Sequence, residues 1–418
     1  MFLKILFIFC ALLPLQIALN PWPGIDLAAA RIFVVVFFLI FLAEGLRKKQ
    51  LFLPSKMLFI PFFSFLALTL FSLFWATEFS WGARKVLFIF SLAPLFLLAS
   101  SLLKNKLQAE KMAAAIVFGA SIVSFIALLL FFSQFFLGES RSFELTLKLS
   151  APFLGESLWE AVKKHPSLLV NIADKDYLRA SGIFPDPHMF AFYLGMSFPL
   201  AVALVFKTPS DSRRKKILIV SALLIFTAWL FTFSRGAYLG ILSLLIFPSF
   251  IMFKQKKFSF LLLLMLLLLG CLFSPVGQRF LSSFDPQEGS NQGRLEIWHH
   301  AIQTISANPF GVGIGNYPLA FSPAAAYRDP IYAHNTYLDI AAEMGLPSLL
   351  LFFCLIGKAL GVFWRERKDP LFLAFGGSLL VFASHSLVDT PLYSIHVFSL
   401  LMLILGVAAA DIYGKETA

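Results

Sequence analysis

AAAIVFGASIVSFIALLLFFSQFFL, residues 113–137, contains no charged side chain and no proline. Wound as an α-helix at about 1.5 Å per residue, it is long enough to cross the roughly 30 Å hydrocarbon core of a bilayer. Hydrocarbon offers no partner to a backbone N–H or C=O, so a run this apolar can satisfy its peptide groups only within itself, as a helix. Comparable runs recur along the chain. Twelve are predicted, at 4–19, 26–46, 57–76, 86–103, 113–137, 182–206, 217–233, 237–253, 258–274, 345–364, 371–388 and 394–411. The composition agrees: 59% hydrophobic residues, 14% charged residues and 51 phenylalanines exceed what a soluble core of 418 residues needs. The expected fold is an all-α membrane protein of about twelve transmembrane helices, with residues 1–418 forming one polytopic membrane domain. The run after Lys4 resembles a signal peptide, but LQIAL at 15–19 has no small-x-small cleavage site, so it is expected to stay as the first helix.

The cations orient the helices. The even-numbered connections carry Arg47, Lys48, Lys49 and Lys56, then Lys104, Lys106 and Lys111, then Lys207, Arg213, Arg214, Lys215 and Lys216. Lys254, Lys256 and Lys257 follow, and finally Arg365, Arg367 and Lys368. The short odd-numbered connections hold Arg84, Lys85 and Arg235. By the positive-inside rule the even side and both termini are expected in the cytoplasm. The net charge of +11 then belongs to helix orientation, and no nucleic-acid partner is expected. Cys10, Cys271 and Cys354 all fall in apolar segments, with no disulfide framework and no metal-ligand spacing.

This orientation leaves two long connections outside, 138–181 and 275–344, neither with the composition of a flexible linker. LWEAVKK at 158–164 reads as a short amphipathic helix on the membrane surface. The second connection is the longest polar interruption in the chain. It carries Arg279, Arg294, Arg328, His299, His300 and His334, and is expected to be an extracytoplasmic active-site loop. Within it LEIWHHAIQTI at 295–305 reads as a helix stopped before Asn308-Pro309, with Glu296 in the first turn where an acid suits the helix dipole.

Polar groups at the outer helix ends are the candidates for chemistry. Arg179 precedes span six in LRASGIFPDPHMFAFYLG, Arg235 sits in the tight turn FTFSRGAYLG, and Arg294 lies in QGRLEIW. Three guanidinium forks can together hold a diphosphate through charge-assisted bonds. The alternative is that they bind anionic headgroups or the loop's own acids, with Arg235 snorkelling to water. His334 opens HNTYLDIAAEMG ahead of span ten. An imidazole there can be neutral near pH 7 and take a proton from a hydroxyl, or it can simply cap or pack the helix. His299 and His300 are adjacent on a helix, face different directions and read as surface residues. His385 and Asp389, four apart, share a face if span eleven continues that far, as a supporting pair or a hydrogen bond between helices. Pro185 and Pro187 stiffen the approach to span six around Asp186. Gly311-Val312-Gly313-Ile314-Gly315 follows no strand, so a backbone turn folding the loop onto the helix ends is favoured over a dinucleotide site.

FSRGAYLG at a short outer turn, GRLEIW followed by NPFGVGIGNY, and then AHNTYLDIAAEMG resemble the O-antigen ligase and polymerase superfamily, as does RASGIFPDPH. The resemblance covers roughly 175–390, and Pro187-His188 stands where that family commonly has Pro-Asn. It implies a lipopolysaccharide-biosynthesis glycosyltransferase that uses no nucleotide-sugar donor, cofactor or metal. The donor would be a glycan on undecaprenyl diphosphate, and the acceptor a hydroxyl of lipid A–core or another glycan. Transfer would take place at the outer face of the cytoplasmic (inner) membrane. By motif position Arg179, Arg235 and Arg294 would contact the diphosphate and His334 would be the catalytic residue. His385 and Asp389 would be a supporting pair. A ligase is expected ahead of a polymerase. A twelve-helix transporter is disfavoured because the charges gather at helix ends, whereas transporters place them near the bilayer middle.

Overall fold

The computed structural model describes residues 1–22, 25–49, 54–155, 159–160, 162–163, 167–172, 175–252, 277–279, 289–326 and 331–412. In chain order its elements are α1 (Phe2–Leu12), the hairpin β1 (Ala18–Trp22) and β2 (Ile25–Ala28), α2 (Ala29–Arg47), α3 (Lys56–Phe71), α4 (Phe79–Leu92) and α5 (Pro94–Leu102). Next come α6 (Lys106–Leu137), α7 (Glu139–Leu154), the hairpin β3 (Leu169–Ile172) and β4 (Lys175–Leu178), α8 (Pro187–Lys207), α9 (Arg213–Leu230) and α10 (Arg235–Met252). The chain continues through α11 (Gly289–Ala307), α12 (Tyr317–Phe321), α13 (Thr336–Arg365), α14 (Pro370–His385) and α15 (Ile395–Ala409).

The protein is a mostly helical, multi-pass membrane protein. Among the described residues, 6 helices are long and apolar enough to cross a bilayer: Ala29–Arg47, Lys56–Trp75, Phe79–Leu102, Lys106–Leu137, Pro187–Lys207 and Thr336–Arg365. Shorter apolar helices occupy Phe2–Leu15, Arg235–Leu245, Pro370–His385 and Ile395–Ala409. Helix α6 shows how such a span is built. Its small face (Ala109, Ala113, Ala120, Ala127) is buried, which lets neighbouring backbones approach. Phe118, Phe125, Leu129 and Phe132 stay exposed on the other side, where lipid is the solvent. Helix α8 is central: it packs against α6, α9, α10, α14 and α15.

Several expected boundaries move for identifiable reasons. The first span stops at Leu12 with a 3-10 turn around Pro14, and the strands Ala18–Trp22 and Ile25–Ala28 pair antiparallel. A second hairpin pairs β3 with β4 in register from Leu169–Leu178 to Ile172–Lys175, so an all-helical description omits two small hairpins. The fourth span is broken where Pro94 starts a new helix. The tenth begins nine residues before the predicted 345, at Thr336, and is kinked at Gly345, whose φ of 85° is non-helical. The eleventh ends at His385, so Asp389 is not on its face but in the turn beyond. The predicted span 258–274, Cys271 and Arg328 lie outside the described residues, and 158–164 lies partly outside. The predicted loop helix is present and longer, ending at Ala307 before Asn308-Pro309.

The connections sort by end. At one end Lys106 pairs with Glu366 at 3.6 Å, Lys207 with Asp369 at 3.2 Å and Glu110 at 3.5 Å, and Arg214 with Glu110 at 3.5 Å. The opposite end gathers the starts of α8, α10 and α13 with the turn after α14, and the candidate residues are there.

Candidate functional site

The site begins where the chain enters α8. Asp186 is the N-cap, its carboxylate accepting from the His188 N–H, and Pro187 occupies the first helical position with its φ already suited to a helix. This fixes His188 in the first turn, at the head of the central helix. The preceding strand β4 delivers Arg179, which is 5% exposed. Its backbone N–H donates to Leu168 O at 2.7 Å. Its Nε donates to Thr232 O at 2.7 Å and its Nη1 to Ser167 O at 3.1 Å. Nη2 is buried with no hydrogen-bond partner among the described residues.

Thr232 belongs to the turn between α9 and α10, the predicted outer turn of FTFSRGAYLG. Phe233 there has φ 49°, a left-handed conformation rare for an aromatic residue, and it lets α10 start at Arg235. Arg235 is 6% exposed, so it is buried in protein and does not snorkel. Gly236 is dictated by packing: a Cβ there would lie 1.8 Å from His385 Cδ2. His385 is fully buried and stacks on Phe192 with ring centroids 3.5 Å apart.

Two loops, 331–336 and 386–390, are laced together opposite this turn. Asn335 caps α13 through the N–H groups of Tyr337 and Leu338, and donates from Nδ2 to Leu387 O at 2.9 Å. Thr336 donates from Oγ1 to Asp389 O at 2.9 Å. Asp339 accepts from Ala333 N at 2.9 Å on one carboxylate oxygen and from the Thr390 hydroxyl on the other. It therefore holds the neighbours of His334 and Asp389 in one grip. With Asn335 as the cap, His334 is released from that role. It sits just outside the helix at φ 47°, with Nδ1 3.8 Å from Asp389 Oδ1.

Helix α11 closes the site from the side. Trp298 Nε1 donates to Ala333 O at 2.7 Å, and Tyr317 OH donates to Ile297 O at 3.0 Å. Arg294, one turn before Trp298, shares its face, and its charge acts on His334, His188 and His385. The glycine run works as a clasp. Gly311, Gly313 and Gly315 all have φ between 80° and 92°, and a Cβ on each would meet Glu343 O at 2.5 Å, Ala76 Cα at 2.5 Å and Trp81 C at 3.0 Å. It folds onto helix ends as expected, by close backbone contact. His299 is exposed and bonded to Gln303, while His300 is half-buried against Phe321.

The centre is a cluster of His188, Ser234, His385 and Asp389. His188 Nδ1 is 3.2 Å from Asp389 Oδ2 and 3.0 Å from Ser234 Oγ, which is 3.4 Å from His385 Nε2. Burial works to raise the Asp389 carboxyl, but the imidazoles of His188, His334 and His385 outweigh it and hold it below the usual carboxylate range. The Asp389 carboxylate in turn raises the His334 imidazole, against burial. Burial pushes Arg179 down to about 10, so it stays charged near neutrality. Burial, then Asp389, raises Asp186. Ligand atoms of His188, His385 and Asp389 lie within 4.8 Å of one another, a spacing that could hold a metal ion. The charges of Arg179 and Arg294 act on the same cluster and oppose a cation there.

All six predicted residues are thus near one another: Arg179 and Arg235 through the 231–235 turn, Arg294 through α11, and His334, Asp389 and His385 through the paired loops. Sequence reasoning passed over Ser234 and Asp339, and noted His188 only as a departure from the Pro-Asn of the resembling family. A signal for His188 was present, since Asp-Pro caps and starts the helix immediately before it.

Residues 220–353 match the O-antigen ligase family. The chain is also similar to an O-antigen polymerase of Salmonella muenchen, at 23% identity over 259 residues. That alignment covers 56% of this chain and 62% of the polymerase, so it spans less than two thirds of the relative's own length. The family match takes in the turn bearing Arg235, the loop helix bearing Arg294 and the loop bearing His334. Both comparisons point to the O-antigen ligase and polymerase superfamily, which this chain resembles over these segments.

Proposed function

We propose that this chain transfers a glycan from an undecaprenyl diphosphate-linked donor to an acceptor hydroxyl, as an O-antigen ligase does, at the outer face of the bacterial cytoplasmic membrane. The observation that carries the reading is that Arg179 and Arg294, from two separate segments, act on the Asp389–His334 pair, with Arg235 following the turn that holds Arg179. In this reading twelve spans present the site outward, and residues 275–344 form the outer loop over it.

The arginines meet the diphosphate charge and stabilise it further as the glycosyl bond breaks. The Arg179 guanidinium is already held by the carbonyls of Thr232 and Ser167, so it needs little reorganisation as the reaction proceeds. His334 takes the acceptor proton as the acceptor oxygen bonds to the sugar carbon, and the lipid diphosphate leaves. Asp389 orients the ring and stabilises the imidazolium that forms. Acceptors are lipid A–core for a ligase or another glycan. A polymerase is the second reading, favoured by the match to the Salmonella polymerase.

The test is the glycan profile of a deletion strain of a lipopolysaccharide-producing host. Lipid A–core without polymer supports the ligase, and core bearing a single repeat supports the polymerase. An unchanged profile overturns both.

A further inference from the structure

His188 stands between the donor-side arginine and the acceptor-side base. Its Nε2 faces Arg179 Nη1 at 3.4 Å, and its Nδ1 faces Asp389 Oδ2 at 3.2 Å and Ser234 Oγ at 3.0 Å. A guanidinium is a donor only, so Arg179 gives its hydrogen to Nε2, and the hydrogen of a neutral ring is then on Nδ1, toward Asp389. The other oxygen of Asp389 is the one 3.8 Å from His334 Nδ1. A single carboxylate therefore joins two imidazoles, one against Arg179 and one where the acceptor is expected.

We propose that His188 is a positioning residue that holds Arg179 and Asp389 in register, so that the diphosphate-binding guanidinium and the orientation of the base are set together. This rests on the proposed glycan transfer and deepens it. Histidine suits this role because its ring is stiff. The two nitrogens are held on opposite edges, and one short side chain serves two partners. The backbone gives it no freedom to swing, because Asp186 caps its N–H and Pro187 fixes the helix start. The charged and titratable groups acting on it are Arg179, Asp389, Arg294 and His385. In the neutral ring neither nitrogen has a lone pair left for a metal ion: Nε2 accepts from Arg179 and Nδ1 carries hydrogen.

Two substitutions separate the two contacts. His188→Asn places an amide near the position of Nδ1 and keeps the contact to Asp389, while His188→Gln places one near Nε2 and keeps the contact to Arg179. Purified protein in nanodiscs is assayed for undecaprenyl diphosphate binding and for turnover at saturating donor and acceptor. His188→Asn is expected to bind undecaprenyl diphosphate about tenfold more weakly with turnover largely kept, the size of one charge-assisted hydrogen bond. His188→Gln is expected to keep that binding and lose turnover by about tenfold.

Loss of the same parameter by the same factor in both variants overturns the proposal, because a residue that only packs the helix does not split the two. Should one variant fail to fold, the other decides by whether its loss falls on the assigned parameter. Stoichiometric zinc in the purified wild type, absent from both variants, also overturns it in favour of a metal site. His334→Ala measured alongside tests the transfer reading separately: full turnover in that variant removes the base while leaving the binding half of the His188 split to be read.

Discussion

The two ends of the helix bundle treat charge differently. At the lysine-rich end the pairs Lys106–Glu366, Lys207–Asp369 and Arg214–Glu110 have side chains between 19% and 60% exposed. Water screens such pairs, and each is worth about 0–1 kcal/mol. Their service is collective: many cations on one side orient a multi-pass chain, and no single one needs an exact position. At the opposite end Arg179, Arg235 and Asp389 are no more than 7% exposed and His385 is fully buried. Removing charge from water is costly, so these groups are held by specific partners: carbonyls of Ser167 and Thr232 for Arg179, histidines for Asp389. One end uses the number of charges, the other their placement.

The largest effect that follows is on His334. His334→Ala is expected to slow glycan transfer by about a hundredfold to ten-thousandfold while the protein still folds and inserts. Asn335 supplies the helix cap, so the loss should not appear as instability. The check is transfer rate per folded protein, with donor binding measured alongside. An unchanged rate would make the buried end as indifferent to single residues as the basic end.

Arg235→Lys keeps the charge and loses the planar fork, and is expected to cost about tenfold to a hundredfold in transfer, with weaker undecaprenyl diphosphate binding. Wild-type behaviour in both assays would give Arg235 an orienting role, like the lysines opposite.

Gly236→Ala tests packing under the same turn. The new methyl would overlap His385, and relieving that moves a ring already stacked on Phe192. Overpacking of this kind costs about 1–3 kcal/mol and should lower the melting temperature. The same substitution at Gly357, where a Cβ would meet nothing within 4 Å, should leave it unchanged or higher.

How much of this was legible beforehand follows from range. The six long apolar helices were readable because lipid demands long uninterrupted apolar runs. Arg179, Arg235, Arg294 and His334 stood out as candidates because each stands in a polar motif at a helix end, and the fold brings their segments to one end of the bundle. His188 was noted only as a departure from a family pattern and not as a site residue, because its contacts are to Ser234, 46 positions away, and to Asp389 on yet another segment. Asp339 was hidden for the same reason: inside HNTYLDIAAEMG it reads as a helix-face acid, and only the fold brings Thr390 to it. The i,i+4 expectation for His385 and Asp389 failed because the helix ends at His385, yet the two are neighbours through the turn.

The pH dependence of transfer distinguishes placed charge from screened charge. A base must be neutral to accept a proton, and Asp389 raises the His334 imidazole above its ordinary value by stabilising the imidazolium. Turnover should therefore fall as pH drops through that raised value. Asp389→Asn removes the carboxylate, so the acid limb should move to lower pH while the plateau falls. A limb that stays in place would separate Asp389 from the base.

The smallest effect belongs to the basic end. Lys207 sits between Asp369 and Glu110, at 3.2 and 3.5 Å, as part of a network any member of which water can replace. Asp369 is the wrong partner to remove, since it also caps α14 through the Leu371 N–H at 3.0 Å and its loss would mix two effects. Lys207→Gln isolates the charge. It is expected to change unfolding free energy by less than about 1 kcal/mol and to leave transfer at the wild-type rate. Insertion should also persist, because Arg213, Arg214, Lys215 and Lys216 remain on the same connection. The measurement is a melt in low and high salt together with the transfer assay. A loss of transfer matching Arg235→Lys would mean that position matters at this end too, and the contrast between number and placement would fail.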